Sequence, residues 1–307
     1  MTKQLFLPIG LIVAVIAALL FPTGGVFISD NHGLRIMVFI IFLVSGYQTG
    51  GRGITLNRKL FILFGSAAFI SLLLAPVLGL LVSKVLSLSL PLTMGLIIIS
   101  CVPPTISSGI VITEVSRGNA VLALFLTIGL NMLGILSMPF MLDFCLHAAG
   151  PIDIDQAALL FKMLFFVLLP FIIGKLLRNL RANIIISPLW SYINSSCVII
   201  TVFASVAESQ ETFKGLDIND YIIVLVSVAI VHIALLLINA LTGKLLKLSS
   251  ADGKALIFVA SQKTLALSIA VIANVKIDTG SAIVVCLMFH FFQLFLDSFL
   301  ASVLQKK

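Results

Sequence analysis

Residues 94–109 read Met-Gly-Leu-Ile-Ile-Ile-Ser-Cys-Val-Pro-Pro-Thr-Ile-Ser-Ser-Gly, an apolar run that two adjacent prolines interrupt. Pro103 and Pro104 have no backbone N–H, and their rings clash with the preceding turn, so a helix entering this stretch has to break. If the run lies in a membrane, the freed backbone groups need partners inside the protein or in a wet cavity. The hydroxyl residues that follow the break are Thr105, Ser107 and Ser108.

Composition places this stretch in a membrane protein. Hydrophobic residues make up 60% of the 307 residues and charged residues only 10%, against about 45–50% and about 25% in soluble domains. At about 20 residues per crossing, this apolar content suffices for about ten spans with short loops. A soluble enzyme and a nucleic-acid-binding protein are excluded, and the lipid bilayer is the main expected partner. No nucleotide-binding or hydrolase motif is present, so we do not expect an enzyme.

Ten apolar runs lie along the chain, five in each half. Because five is odd, two related halves would cross the membrane in opposite directions. We therefore predict an all-α membrane protein with ten transmembrane helices in an inverted 5+5 repeat, residues 1–150 and 151–307. The runs cover residues 5–22, 36–48, 60–85, 92–115, 120–144, 157–177, 187–206, 221–245, 255–275 and 281–303.

The basic residues predict the orientation. On alternating sides of ten spans, thirteen of the 19 basic residues fall on one side, and the opposite loops carry acidic residues instead. By the positive-inside rule, both termini are predicted to be cytoplasmic, in the plasma membrane or, in a bacterium, the inner membrane. The thirteen are Lys3, Arg52, Arg58, Lys59, Arg117, Lys175, Arg178, Arg181, Lys244, Lys247, Lys254, Lys306 and Lys307.

A second interruption corresponds to the proline break. Thr105-Ile-Ser-Ser-Gly-Ile-Val-Ile aligns with Thr264-Leu-Ala-Leu-Ser-Ile-Ala-Val at an offset of 159 residues, and Asn131 aligns with Gln293 at an offset of 162. At this offset the break matches Ser261-Gln-Lys-Thr264, which interrupts the ninth run without a proline. Paired interrupted helices in inverted halves point to the substrate site of a secondary transporter. The alternative is a proline kink that a neighbouring helix fills.

Lys263 is the most unusual residue of the ninth run. A lysine near the bilayer centre costs about 2.5–3.5 kcal/mol on insertion scales, so Lys263 is predicted to face the protein interior. The alternative is a shorter span with Lys263 at the membrane interface. In the tenth run, His290 and Gln293 are three residues apart and share a helical face. A buried histidine is also common as a packing residue.

The break also predicts the charge of a ligand. The half-helix that begins after Thr105 points an N-terminal dipole and free amides at the junction, which favours a carboxylate or a sulfate. We expect no cofactor and no metal beyond a coupling ion, which could be Na⁺ or H⁺. The predicted substrate-binding residues for a small organic anion are Thr105, Ser107, Ser108, Lys263, Thr264, His290 and Gln293.

These residues carry a resemblance to a known family. Cys101-Val-Pro-Pro-Thr-Ile-Ser-Ser, Arg117-Gly-Asn119 and the Gln262 element are similar to the bile acid:sodium symporter family, over the whole chain. Ser261-Gln-Lys-Thr-Leu-Ala resembles its divergent branch, which includes bacterial putative symporters and a vertebrate member linked to calcium homeostasis. The resemblance implies crossed broken helices four and nine, a panel domain of spans one, two, six and seven, and a core domain of the remaining spans. It also implies organic anions as substrates.

The resemblance further implies a set of ion-site positions, with two departures. Position 258, where the family has an acidic residue, is Phe258, and Lys263 directly follows the glutamine of the site. A fixed ammonium can take the electrostatic place of a bound cation, so sodium coupling is doubtful. The alternative is coupling to protons through Lys263 or His290. The equivalent positions are Ser71, Ser107, Ser108, Thr127, Asn131, Ser261 and Gln262.

Two functions fit these features. The first is a secondary active, symporter-like transporter of a small organic anion that works by alternating access. The alternative is a transporter-like membrane regulator of ion homeostasis, calcium for example, without substantial substrate flux. Gradient-driven uptake into proteoliposomes separates the two.

The orientation gives a first testable prediction. In a background in which the four native cysteines are replaced by serine, Leu180→Cys should react with a membrane-impermeant maleimide only after cells are permeabilised, because the flanking basic residues place this loop in the cytoplasm. Labelling of intact cells, with a cytoplasmic marker protein unlabelled in the same sample, would contradict the topology.

Overall fold

The computed structural model describes residues 3–48, 58–105, 108–150, 155–180, 188–273 and 280–305. These residues form sixteen α-helices and two π-helical segments, Phe69–Leu74 and Leu164–Leu168, and no strand. The α-helices are α1 Lys3–Leu20, α2 Pro22–Asp30, α3 Gly33–Gln48, α4 Arg58–Ala68, α5 Ala75–Val85, α6 Leu90–Cys101, α7 Ser108–Val115, α8 Ala120–Ala149, α9 Gln156–Met163, α10 Leu169–Leu180, α11 Pro188–Glu208, α12 Gln210–Gly215, α13 Ile218–Leu245, α14 Ser250–Ser261, α15 Leu265–Ile272 and α16 Gly280–Leu304.

Several helices are long and apolar enough to cross a bilayer. Within the described residues there are six, or seven if α1 and α2, which meet at a bend of 98°, form one span. Apolar side chains such as Ile12, Phe61 and Leu237 lie exposed on their surfaces, as lipid-facing residues do. The protein is therefore an all-helical, multi-pass integral membrane protein, and the count of ten spans stays a prediction. The six helices that are long and apolar enough to cross a bilayer are Arg58–Val85, Ala120–Ala149, Gln156–Leu180, Ile218–Leu245, Ser250–Ile272 and Gly280–Leu304.

Two helices begin at side-chain caps. The Oδ1 of Asn119 accepts the N–H of Leu122 at 3.0 Å at the start of α8, and the Oγ of Ser249 accepts the N–H of Asp252 at 3.1 Å at the start of α14. Each cap satisfies one amide that has no partner inside its helix. The Nδ2 of Asn119 also donates to Asp252 Oδ1 at 2.8 Å, so the two helix starts are joined.

The chain leaves helical geometry in the same way at both interruptions. Helix α6 ends at Cys101 and is followed by Val102 at φ −69°, ψ 149°; α14 ends at Ser261 and is followed by Gln262 at φ −75°, ψ 156°. Val102 precedes a proline, and this position is sterically driven into extended geometry. Gln262 adopts the same geometry without a proline. Ile106 and Ser107 lie outside the described residues.

Each π-helical segment precedes a proline. The N–H of Ala75 bonds to the carbonyl of Ile70, and that of Leu169 to Leu164, both five residues earlier. One extra residue is thereby accommodated in each turn, as is typical of π-bulges, which often occur at functional sites. In the first segment, this shifted hydrogen-bond pattern leaves a backbone carbonyl free to accept a hydrogen bond from the functional site.

The chain packs as two compact units. Unit 1 contains residues 1–50, 157–217 and 266–284, and unit 2 contains residues 51–156, 218–265 and 285–307. Both units take segments from both halves of the sequence. The inverted repeat of residues 1–150 and 151–307 stays a prediction, and so does the motion of a panel domain against a core domain. In unit 2 a buried apolar cluster joins α4, α8 and α14 through residues that include Leu63, Leu126 and Leu256.

In unit 1, helices α3 and α10 pack at very short range through glycines. A Cβ atom at Gly46 would overlap the carbonyl oxygen of Phe171, and one at Gly174 would overlap the carbonyl oxygen of Leu43. The obstacles are backbone atoms, which cannot move aside as a side-chain tip can. The small residues therefore set the distance between these helices, as is common for helix pairs in membranes.

We predict that Gly46→Ala or Gly174→Ala lowers the stability of the protein by about 1–3 kcal/mol, because the added methyl group forces the helices apart. Gly65→Ala is the matched control, since no atom outside its own stretch of helix lies within 4 Å of a Cβ at that position in α4, and it should be neutral or slightly stabilising. Thermal unfolding in nanodiscs measures both. Equal melting temperatures for all three variants would contradict the packing argument.

Candidate functional site

The proline break leaves backbone carbonyls that other parts of unit 2 satisfy. Three successive carbonyls, those of residues 102–104, accept hydrogen bonds from the Nζ of Lys263 at 3.2 Å, the N–H of Thr264 at 3.1 Å and the Nδ2 of Asn131 at 3.0 Å, in that order. Two of these donors belong to the second interruption. The two breaks are therefore bonded to each other, and we call this region the junction, residues 102–105, 108 and 261–264.

Lys263 is fully buried, and its ammonium is surrounded by oxygen atoms. Besides residue 102, the Nζ donates to the carbonyl of Ser71 at 2.5 Å and lies 3.4 Å from its hydroxyl oxygen. The Ser71 carbonyl has no donor in its own helix, because the N–H of Ala75 bonds to Ile70 and the next residue, Pro76, has no N–H. The π-segment and the proline together thus supply an acceptor for the lysine.

The backbone of Lys263 is held by a side chain of α16. Gln293 accepts the N–H of Lys263 with Oε1 at 2.8 Å and donates Nε2 to its carbonyl at 2.7 Å. The same Nε2 lies 3.0 Å from Nδ1 of His290. Because an amide nitrogen is a donor only, this contact makes Nδ1 an acceptor and places the imidazole proton on Nε2. That buried Nε2 has no partner among the described residues.

Gln262 joins the two breaks through its side chain. Its Oε1 accepts hydrogen bonds from the hydroxyls of Thr105 at 2.6 Å and Ser108 at 2.8 Å. These two hydroxyls are also within hydrogen-bonding distance of each other. Gln262 and Thr105 are buried, and Ser108 is partly buried. One amide oxygen is therefore shared by two hydroxyl groups from the first interruption.

The other end of the Gln262 amide reaches a buried carboxylate. Its Nε2 donates to Oδ2 of Asp297 at 2.8 Å, and Oδ1 of Asp297 lies 2.8 Å from Nε2 of His232. Asp297 and His232 are both fully buried. Because a carboxylate oxygen only accepts, this contact places a proton on Nε2 of His232. Its Nδ1 has no partner in the described part of the chain. The edges of Phe289 and Phe292 complete the surroundings of this ring.

Asp297 supplies a carboxylate from a position that the sequence analysis did not single out. At position 258, where the resemblance implies an acidic residue, the chain has Phe258. Phe258 is indeed buried among apolar residues, in contact with Ile112 and Ala301, but Asp297, one turn before Ala301 on α16, supplies a carboxylate from another helix. Sequence reasoning missed the pairing because the partners lie on three helices. The available signal was two ionisable residues, His232 and Asp297, inside apolar runs, which are functional candidates by default.

The remaining ion-site positions lie close to the junction. Thr127 and Asn131 are one turn apart on α8, and the Oγ1 of the first and the Oδ1 of the second are buried with no partner among the described residues. The hydroxyl of Ser261 accepts from Nδ2 of Asn239 at 3.0 Å. Ser107 lies outside the described residues. Unsatisfied buried oxygens of this kind are suited to a water molecule or a cation.

Most predicted site residues thus belong to one hydrogen-bonded network. It contains the buried amine of Lys263 and the buried carboxylate of Asp297, which form no direct hydrogen bond or ion pair with each other. It has no cluster of three or more His, Cys, Asp or Glu side chains, as far as the described residues extend. The members that were predicted from sequence are Ser71, Thr105, Ser108, Asn131, Gln262, Lys263, Thr264, His290 and Gln293.

Apolar helices interrupted at a buried polar junction define a class, the multi-pass membrane transporters. Within that class, the chain belongs to the SBF-like CPA transporter family (DUF4137), whose model matches residues 4–306. It is 29% identical to "Probable sodium/metabolite cotransporter BASS4, chloroplastic" of Arabidopsis thaliana, over 97% of this chain and 72% of that protein. It is 28% identical to "Sodium/bile acid cotransporter 7-B" of Xenopus laevis, over 87% of this chain and 80% of that protein. The resemblance to the bile acid:sodium symporter family is thereby confirmed.

The carboxylate of the junction gives a second prediction for stability. Asp297→Leu should lower the free energy of unfolding by about 2–6 kcal/mol. Two buried donors, on Gln262 and His232, lose their acceptor, and each unsatisfied donor is unfavourable by about 1–3 kcal/mol. The double variant Asp297→Asn with Gln262→Glu should recover most of the loss, because the amide at position 297 then donates to the carboxylate at position 262. Melting temperatures in nanodiscs measure both, with exposed Ser298→Ala as the control. An Asp297→Leu variant as stable as the control would contradict the network.

Proposed function

We propose that the protein is a secondary active transporter of a small organic anion, and not an enzyme. The observation that supports this most is the junction, where two interrupted helices bond to each other around the buried Lys263. Membrane proteins retain buried ionisable groups and irregular backbone mainly where a substrate or ion passes. The names of the relatives, which are cotransporters, point in the same direction.

The proposal includes ten transmembrane helices in an inverted repeat, both termini in the cytoplasm, and alternating access through motion of a panel domain against a core domain. Four further segments would raise the number of spans from six to ten. They are the bent α1–α2 pair and the three shorter apolar helices Gly33–Gln48, Leu90–Cys101 and Tyr192–Glu208. The broken fourth span would then consist of α6 and α7.

Within this transporter, we assign Lys263 the place of a coupling sodium ion. Its ammonium is bonded to two backbone carbonyls and one hydroxyl, the oxygen types that sodium also takes as ligands. One of these residues, Ser71, is a position that the family resemblance marked as part of an ion site. The cation also lies at the C-terminal end of α6, where a helix dipole favours positive charge.

A sodium ion beside this lysine would be strongly repelled. Two unit charges about 4 Å apart, at an effective dielectric near 20, repel by about 4 kcal/mol, which weakens binding by about three decades. The relatives carry sodium in their names, and the proposal is that this chain replaces that ion, at this position, with a covalently attached one.

The proposal predicts the sodium dependence of transport. In proteoliposomes, labelled organic anions (a bile acid, a sulfated steroid and pantoate) should accumulate in the wild type with little response to Na⁺ at constant ionic strength. Lys263→Ala removes the ammonium and leaves the oxygens of Ser71 and Val102, so uptake or thermal stability should become sensitive to Na⁺. Exposed Lys244→Ala is the matched control and should behave as the wild type does.

The outcomes separate the parts of the proposal. Strong Na⁺ dependence in the wild type would reject the replacement of sodium by Lys263 while leaving transport intact. No gradient-driven uptake of any tested anion, by a protein that is folded and oriented in the liposomes, would reject the transport function and favour a regulator without flux.

A further inference from the structure

The two buried histidines of unit 2 differ in what their free ring nitrogen offers. In His232, Nε2 carries a proton and bonds to Asp297, so the free Nδ1 has an available lone pair. In His290, the lone pair of Nδ1 is taken by Gln293, and the free Nε2 already carries the proton. His232 can therefore take up a proton without losing a hydrogen bond among the described residues, whereas His290 would lose the one that Gln293 donates.

The surroundings of His232 contain a carboxylate and apolar rings. Oδ1 of Asp297 lies 2.8 Å from Nε2, and the rings of Phe289 and Phe292 pack against the imidazole. Within the described residues, no other titratable side chain forms a hydrogen bond or an ion pair with His232. The amine of Lys263 is held separately by two backbone carbonyls.

One added proton compensates the charge of this buried pair. With a neutral imidazole and an ionised carboxylate, the pair carries one negative charge, which is unfavourable away from water. A proton on Nδ1 turns His232 into an imidazolium beside the carboxylate of Asp297, and the net charge of the pair becomes zero. Histidine is the side chain that ordinarily changes charge between about pH 5 and pH 8, so a pH difference across a membrane can load it on one side and unload it on the other.

Asp297 connects this pair to the junction. Its Oδ2 accepts from Nε2 of Gln262, and Oε1 of the same amide accepts the hydroxyls of Thr105 and Ser108. A hydrogen bond to an ionised group is about twice as strong as a neutral one, so a proton that neutralises the pair weakens its hold on Gln262. It also lowers the electrostatic repulsion between Asp297 and an anion at the junction.

We propose that His232 and Asp297 form the proton-binding site that couples anion transport to a proton gradient. The inference rests on the proposed function, in which Lys263 takes the place of the sodium ion, and it names the ion that drives transport instead. A proton from the aqueous phase bonds to Nδ1 of His232 and is released on the other side together with the anion. By linkage, the bound proton favours anion binding, and the anion favours proton binding to the same degree.

Proteoliposomes that contain the full-length protein and no Na⁺ test this coupling. Uptake of the three labelled anions should rise several-fold when the outside is acidic, and a protonophore should abolish the rise. The sulfated steroid is the most informative probe, because a sulfate stays ionised and does not cross the bilayer as a neutral acid. Protein-free liposomes give the passive background.

One variant removes the proton acceptor and keeps the hydrogen bond. In His232→Gln the amide can still donate to Asp297 but cannot take up a proton, so the ratio of uptake with and without the gradient should fall to about one. Exposed His147→Gln is the matched control and should keep the wild-type ratio. Melting temperatures in nanodiscs show whether each variant is folded.

Proton binding is measured separately from transport by ¹⁵N NMR of histidine-labelled protein in nanodiscs. The chain has four histidines, and variants of His32, His147 and His290 assign the signals of His232 by elimination, even if His232→Gln does not fold. Between about pH 8 and pH 5, the unprotonated nitrogen of His232 should gain a proton, and His290 should stay neutral.

The outcomes separate this site from the transport function. Uptake that ignores the gradient in the wild type, full stimulation in a folded His232→Gln variant, or a His232 that gains no proton would each overturn the site and leave transport intact. Loss of stimulation in His290→Gln, with His232→Gln unaffected, would place the proton on His290 instead. Protonation of His232 without uptake of any tested anion would reject the transport function.

Discussion

The hydrogen bonds from Lys263 to backbone carbonyls are the interaction on which the rest of the site depends. Two prolines at residues 103 and 104, and a third at Pro76, remove amide donors from helices that lie in an apolar environment. The carbonyls left behind cannot turn to lipid, where an unsatisfied polar group is unfavourable by several kcal/mol. One ammonium, reaching Ser71 and Val102, satisfies two of these positions at once.

The ammonium in turn requires a precise backbone at its own position. Gln293 clamps the N–H and the carbonyl of Lys263 from α16, and the neighbouring Gln262 is oriented by Asp297 at one end and by two hydroxyls at the other. The side-chain amides thus convert two broken helices into a single bonded unit. Buried polar networks of this kind are specific only when every member finds a partner, and the Oγ1 of Thr127 and the Oδ1 of Asn131 are two members without one among the described residues.

Separate partners hold the two ionisable groups of this network. The Nζ of Lys263 donates to the backbone carbonyls of Ser71 and Val102, whereas Asp297 accepts from Gln262 and lies 2.8 Å from His232. Hydrogen bonds to neighbouring helices, and not a direct ion pair, therefore fix the positions of both groups.

Much of this protein was determined by local sequence features. The apolar content defined a membrane protein, Pro103 and Pro104 defined the first interruption, and Ser261-Gln-Lys-Thr264 indicated the second, because proline chemistry and hydrophobic length act within a few residues. The tertiary structure alone decided the partners: the Ser71 carbonyl for Lys263 and the carboxylate of Asp297 for Gln262. These pairs are separated by 35 to 192 residues, and contacts at such distances depend on how helices pack, which no local pattern encodes.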